Sequence, residues 1–322
     1  MRDVKQKGKV KVMADKPLVS VVIPTYNGHK TIVQCLETVT NQQTDFPYEV
    51  IVVDSSPEPV EPLIKPRFPQ VKYAHSERRL SIGEGMNLGV QLAQGEFVAF
   101  THDDCLVPPD WLKRLVNHHQ NGTLAAVGGG IANANKHSLA AWVLHLLEFN
   151  RYLPGGKRCF IDDIPPCNIC YRKSVFEETG LRFPPSNASE HTAVNEELSR
   201  RGWKILFDPT ISVGHLTRTT WRRIFGHAIN LGRAQAPVLK RFKGRGDIFV
   251  HYPFLLPLYP PLRLIFGWWN CFRAGIGYTL LFTLLSPFIF VTACAWAIGI
   301  YLGVREFQRR KEVGQERTEG GR

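Results

Sequence analysis

The chain lacks both glycine-rich loops with which parallel sheets commonly hold nucleotides. No G-x-G-x-x-G follows its first apolar run, and no G-x-x-x-x-G-K-[ST] occurs among the 322 residues. That disfavours a dinucleotide site and a P-loop, and leaves phosphate binding to a metal. A disulfide framework is also missing. The seven cysteines are odd in number and irregularly spaced, which fits a reducing compartment. Cys167-Asn168-Ile169-Cys170 has no second pair, so a zinc site is not expected. Residues 1–16 carry six Lys/Arg and no apolar stretch, and are expected to be a disordered basic arm without a secretory signal. Acidic residues are scarce: the net charge is +12 and the pI about 9.5, which points to a polyanionic or anionic-membrane partner. No zinc-finger, basic-zipper or RRM signature accompanies the charge, so nucleic acid is not the expected partner.

What is present begins with alternating periodicities. Residues 18–23 form a β-branched run ending at Pro24 and an Asn27-Gly28 turn, and residues 31–41 carry helical apolar spacing. Strands are expected at 49–53, 71–74 and 97–101, with a helix over 85–94 stopped by Gly95. A β-α-β-α order with apolar strands predicts an α/β fold, a Rossmann-like, mostly parallel sheet with helices on both faces. Ligands of such sheets bind beyond the carboxyl ends of the strands. Pro24-Thr25-Tyr26-Asn27, Asp54-Ser55-Ser56 and His102-Asp103-Asp104 all fall at that edge.

The last of these is the most informative. An apolar strand stops at an imidazole followed by two carboxylates, side chains suited to a divalent cation, which in turn suits a diphosphate. Imidazole at the first position favours Mn²⁺ over Mg²⁺, though either is accommodated. His102 and Asp104 are the expected ligands. Asp103 is either a third ligand or a hydrogen-bonding group beside the metal.

These residues resemble the family 2 glycosyltransferases of GT-A fold. Val19-Ser20-Val21-Val22-Ile23-Pro24-Thr25-Tyr26-Asn27-Gly28 is similar to that family's first strand and nucleotide loop, and Val50-Ile51-Val52-Val53-Asp54 to its second strand. The stretch from Gly95 through Asp104, with Pro108-Pro109-Asp110-Trp111-Leu112 behind it, resembles its metal motif, with His102 in place of the usual first Asp. The resemblance covers about residues 17–220. It implies a nucleotide-diphosphate sugar donor, a UDP-sugar favoured, held by Pro24, Tyr26, Asn27, Asp54, Arg79 and Asp103. His215 completes the metal site, and Asn168 and Arg172 lie on the acceptor side. The family's Glu-Asp pair, twelve residues before the glycine of Gly-Trp, falls here on Glu190-His191, so His191 or Glu190 is the expected base. Direct displacement with one base implies inversion at the anomeric carbon. The two altered motifs leave open a rival: an inactive nucleotide-sugar-binding scaffold of a polysaccharide assembly.

From residue 274 to 304 no formal charge occurs, a length beyond the ~30 Å hydrocarbon core at ~1.5 Å per residue. Residues 218–245 hold eight Lys/Arg and no acid, and read as an interfacial segment against anionic headgroups. Residues 249–269, apolar but rich in proline, are expected to be broken or re-entrant. Cations on both sides favour both ends on the cytoplasmic face, and so an even number of crossings. The expected organisation is therefore a basic arm (1–16), a GT-A domain (17–217), a basic interfacial segment (218–247), membrane-embedded helices (248–305) and a disordered tail (306–322). The expected acceptor is lipid-linked or a saccharide.

Overall fold

The computed structural model describes residues 16–119, 124–242 and 246–319, with side chains described as far as residue 309. The arm expected before residue 16 lies outside the described residues.

The first half follows the alternating pattern: β1 (Val19–Thr25), α1 (Ile32–Val39), β2 (Tyr48–Asp54), the short α2 (Glu61–Ile64), β3 (Lys72–His75), α3 (Ile82–Leu92) and β4 (Phe97–Phe100). The strands pair in parallel in the order β3-β2-β1-β4. β1, β2 and β4 are largely buried on both faces, which is why they read as unbroken apolar runs. Helix α3 starts three residues earlier than its apolar spacing suggests, because Ser81 and Glu84 form a reciprocal capping box.

Beyond β4 the chain adds β5 (Cys105–Leu106), α4 (Trp111–His119), β6 (Leu124–Asn133), α5 (Leu139–Phe149), β7 (Cys159–Phe160), β8 (Ile169–Arg172), α6 (Ser174–Thr179), α7 (Glu190–Arg200) and β9 (Lys204–His215). The sheet continues as β4-β8-β6-β9-β5, with β7 pairing β9. β8 is antiparallel to both neighbours, and β6 and β9 run parallel. This second half positions the site. β5 pairs antiparallel with the end of β9, with Cys105 opposite His215, which carries a residue 113 places further along the chain to the strand end that holds His102.

The C-terminal part is helical: α8 (Trp221–Arg241), α9 (Asp247–His251), a 3₁₀ turn (Pro253–Leu258), α10 (Tyr259–Ala274) and α11 (Ile276–Glu319). The proline-rich stretch is broken, as expected, at Pro253 and Pro257. Pro260 and Pro261 fall in the first turn of α10, where a missing N–H costs nothing. Residues 306–319, expected as a disordered tail, instead continue α11. Glu306 is tied to Arg233 of α8 at 2.9 Å, and the segment is rich in Glu, Gln, Arg and Lys, which favour helix.

Two apolar clusters result. One surrounds the sheet. The other is built from α5, α8, α9, α10 and α11, so α5, although it lies between two strands of the sheet, packs mainly with the C-terminal helices.

Candidate active site

The β1, β2 and β4 ends open on one crevice. Asn27 adopts a left-handed conformation (φ 59°) and its backbone N–H donates to Ser56 Oγ at 2.7 Å, joining the two loops. Gly28 is required there, since a Cβ would run into the Asp103 and Thr25 side chains. Tyr26 is partly exposed, with the Arg79 guanidinium 4.2 Å from its ring centre, a cation–π contact beside the end of β1. Pro24 packs against Gly85 of α3 and forms wall.

Asp54, expected to touch the nucleotide, is fully buried. Its Oδ1 accepts from Ser56 N–H (2.8 Å) and Oγ (2.6 Å), and its Oδ2 from Val60 N–H (2.9 Å) and Tyr73 O–H (2.6 Å). It therefore shapes the loop after β2 and leaves no lone pair directed to open space. Burial alone would raise its pKa, but the bonds from Ser56, Tyr73 and Val60 outweigh burial and lower it. Asp54→Ala is expected to cost about 3 kcal/mol of stability, measured by urea denaturation, because it strands buried donors. The Asp54 contribution is present above its unfolded pKa of about 3.9 and is lost as pH falls through the lower folded value.

Just past β4, a ligand atom from each of His102, Asp104 and His215 lies within 4.8 Å of the others. His215 Nε2 is 3.5 Å from Asp104 Oδ1, and its Nδ1 meets Thr217 Oγ1 at 3.1 Å, which leaves Nε2 for a metal. His102 Nε2 is buried without a hydrogen-bond partner. Burial holds this imidazole below its ordinary pKa, in the neutral form that ligates. An orphaned nitrogen beside a carboxylate and a second imidazole suits a divalent cation that accepts nitrogen. Asp103 stands apart from this group: it accepts a hydrogen bond from Thr25 Oγ1, toward β1 and the nucleotide side. Burial, and then the Asp104 charge, raise its pKa.

Across the crevice, Glu190 begins α7. Its Oε1 meets His191 Nδ1 at 3.1 Å, while His191 Nε2 lies 3.8 Å from Asp163 Oδ1, beyond hydrogen-bond reach. The His191 side chain is 16% exposed and that of Glu190 only 3%, so the imidazole is the more open of the pair. Asp163 accepts from Tyr152 O–H, Thr192 O–H and Asn195 N–H. The charges of Glu190 and His191 both act on His102, so the two groups lie within electrostatic reach of one another.

Two expected acceptor-side residues are corrected. Asn168 is fully buried. Its amide donates to Gly130 and Ile211 carbonyls, both at 2.8 Å, and its Oδ1 accepts from Trp111 Nε1 at 2.8 Å, so it clasps β6, β9 and α4 and has nothing free for a substrate. Arg172 pairs in register with Phe97 at the start of β4 and bonds Glu96 at 2.9 Å, at the sheet edge opposite the crevice; the reversed direction of β8 puts it there. Two other residues were not anticipated. Asp163 follows β7 in a run with no motif; its only sequence signal is an acidic pair after an apolar strand. Arg218, whose charge acts on both Asp103 and Glu148, sits where the chain enters α8 and is hidden among the other cations of that segment.

A profile described as Glycosyl transferase family 2 matches residues 20–180, half the chain. The chain belongs to this family. Among curated relatives of this glycosyltransferase is "Dolichyl N-acetyl-alpha-D-glucosaminyl phosphate 3-beta-D-2,3-diacetamido-2,3-dideoxy-beta-D-glucuronosyltransferase" of Methanococcus voltae. It is 25% identical over 256 residues, which is 73% of this chain and 78% of that protein. A solved mannosyltransferase from Pyrobaculum calidifontis, in complex with GDP-Man and Mn²⁺, superposes with a TM-score of 0.57 at 17% identity, covering 90% of this chain and 87% of that one. TarS 1-349 of S. aureus, in complex with UDP-GlcNAc, gives 0.50 at 17% identity, over 91% and 92%. These likenesses confirm the GT-A fold of the family 2 glycosyltransferase.

Proposed function

We propose that this glycosyltransferase moves a sugar, with inversion, from a nucleotide-diphosphate sugar (a UDP-sugar favoured) to a lipid-linked or saccharide acceptor at the cytoplasmic membrane face. The observation that supports this reading is the cluster of His102, Asp104 and His215 just past β4, with Glu190 and His191 within electrostatic reach of it. His102, Asp104 and His215 would hold Mn²⁺ or Mg²⁺, which supplies charge for the departing diphosphate. Arg218 adds positive charge at the same wall. As the anomeric C–O bond breaks, its electron pair leaves on the diphosphate oxygen. The acceptor oxygen bonds to the opposite face of that carbon and its proton passes to His191 Nε2. Glu190 orients the imidazole through Nδ1, and the Asp163 carboxylate stabilises the imidazolium. The lipid-linked acceptor is supported by the Methanococcus relative, whose name specifies a dolichyl-linked sugar phosphate, and by the apolar C-terminal helix.

A panel of nucleotide sugars incubated with the full chain and Mn²⁺ tests this reading. One donor is expected to be transferred or slowly hydrolysed, with a rate in Mn²⁺ at least equal to that in Mg²⁺. Binding of a donor without turnover across the whole panel would replace the enzyme by a nucleotide-sugar-binding scaffold.

A further inference from the structure

The helix Ile276–Arg309 is long and apolar enough to cross a membrane, but its surroundings are those of a helix laid against a domain. Its first end is fixed to the catalytic part. A Cβ at Gly155 or Gly156 would meet the Ala274 or Arg273 carbonyl, so the α10–α11 turn sits directly on that loop. Its second half is fixed to α8, backbone to backbone. A Cβ on Gly232 would meet the Trp296 carbonyl, one on Gly299 the Ile229 carbonyl, and one on Gly303 the Arg233 carbonyl. Gly299 and Gly303 have the G-x-x-x-G spacing with which one membrane helix docks on another. Here that face is already occupied by a cationic helix of the same chain.

The two helices run side by side from Trp221 against Phe288 (5.3 Å between rings) to Arg241 over Phe307 (5.9 Å). Arg222 and Arg223 lie exposed at the first of these levels. A perpendicular crossing would carry them into hydrocarbon, where charged side chains are costly. Only about 12 residues of α11, roughly 18 Å, precede that level, well short of the ~30 Å core.

The outward faces of α10 and α11 are apolar. Ile276, Leu280 and Leu284 of α11 are 69%, 65% and 73% exposed, and Ile265 and Phe266 of α10 are 62% and 61% exposed. On its inward face α10 carries Arg263, which donates to the Leu147 carbonyl, and Asn270, which donates to Asn150. This polarity is the inverse of a water-facing helix pair.

We infer that α10 and α11 lie in the plane of an anionic lipid surface, with their outward face among the acyl chains and no crossing, so that the protein is monotopic. Anionic lipid is favoured as the occupant by the charge beside the apolar face: Arg273, Arg305 and Arg309 on the two helices, and Arg222 and Arg223 on α8, in a chain of net charge +12. The inference rests on the membrane-face reading and is independent of the chemistry, which donor hydrolysis in detergent reports separately.

The test uses the full chain with Cys159→Ser and Cys294→Ser, carrying either Lys65→Cys just after α2 or Arg309→Cys on α11. Both are probed with a membrane-impermeant maleimide in sealed vesicles of known orientation prepared from expressing cells. Both reporters are expected to react in the same vesicle orientation. Reaction in opposite orientations, or recovery of the protein in the soluble fraction, overturns the inference. In a second arm, Leu284→Glu is expected to weaken co-sedimentation with phosphatidylcholine–phosphatidylglycerol vesicles about tenfold, since a fully buried leucine contributes ~1.5–3 kcal/mol. Its melting temperature should not change, because the side chain touches little of the protein. Unaltered vesicle binding by this variant also overturns the inference.

Discussion

Asp104→Ala is expected to lower kcat/KM for sugar transfer on the order of 10³-fold, the scale of losing a preorganised charge at a developing anion. Mn²⁺ is expected to raise the melting temperature of the native protein, and this variant is expected to lose that rise. The melting temperature without metal should stay where it is. The Asp104 side chain is 25% exposed at a strand end, and its nearest partners are His215 Nε2 at 3.5 Å and the Cys105 thiol at 3.9 Å. The contact that fixes the loop is made by its backbone carbonyl, which accepts from Leu216 N–H at 2.8 Å and survives in alanine. A normal rate and a normal Mn²⁺ shift in this variant would remove the metal assignment. Asp103→Ala serves as the contrast: it loses the Thr25 hydrogen bond and is expected to weaken donor binding while keeping the Mn²⁺ shift.

His191→Ala is expected to cost on the order of 10² to 10⁴ in rate, the range for loss of a positioned base. The pH profile discriminates further. Burial alone would lower the His191 pKa, but the carboxylates of Asp163 and Glu190 outweigh burial and raise it. The imidazole accepts a proton only above its pKa, so kcat/KM should fall on the acid side with a midpoint above the ordinary value of about 6.5. Glu190→Gln removes one of the raising charges and should move that limb to lower pH. His191→Asp would restore the family's usual acidic pair and should keep substantial activity. Near-normal turnover in His191→Ala, together with an inactive Glu190→Ala, would transfer the role to Glu190.

The parallel half of the fold was readable because strands buried on both faces leave unbroken β-branched runs, and the helices between them leave helical spacing. The crevice edge followed from the strand direction alone. Beyond β4 the order of residues ceases to report on position. β8 runs against its neighbours, so Arg172, only four residues after Asn168, ends at the far edge of the sheet. Asn168 carries a polar side chain that nothing local marks as a buried clasp; its three partners come from three separate segments. Asp163 is silent for the same reason, since its importance comes from Tyr152, Thr192 and Asn195 closing around it. His215 was found through resemblance, and the β5–β9 pairing is the physical reason it belongs beside His102. The C-terminal helix shows the limit of composition: a charge-free run predicts contact with lipid, but only its neighbours show which of its faces remains free.

The backbone seam between α8 and α11 joins two duties in one piece. The segment leading into α8 brings Arg218 to within electrostatic reach of Asp103, and α8 carries His227 to 3.7 Å from Glu148, while further along the same helix is locked to α11 through Gly232. The cations near Asp103 and Glu148 and the exposed apolar face of α11 therefore share a keel. A cut after β9 is therefore expected to take with it the Arg218 charge and the His227–Glu148 contact together with the apolar helices.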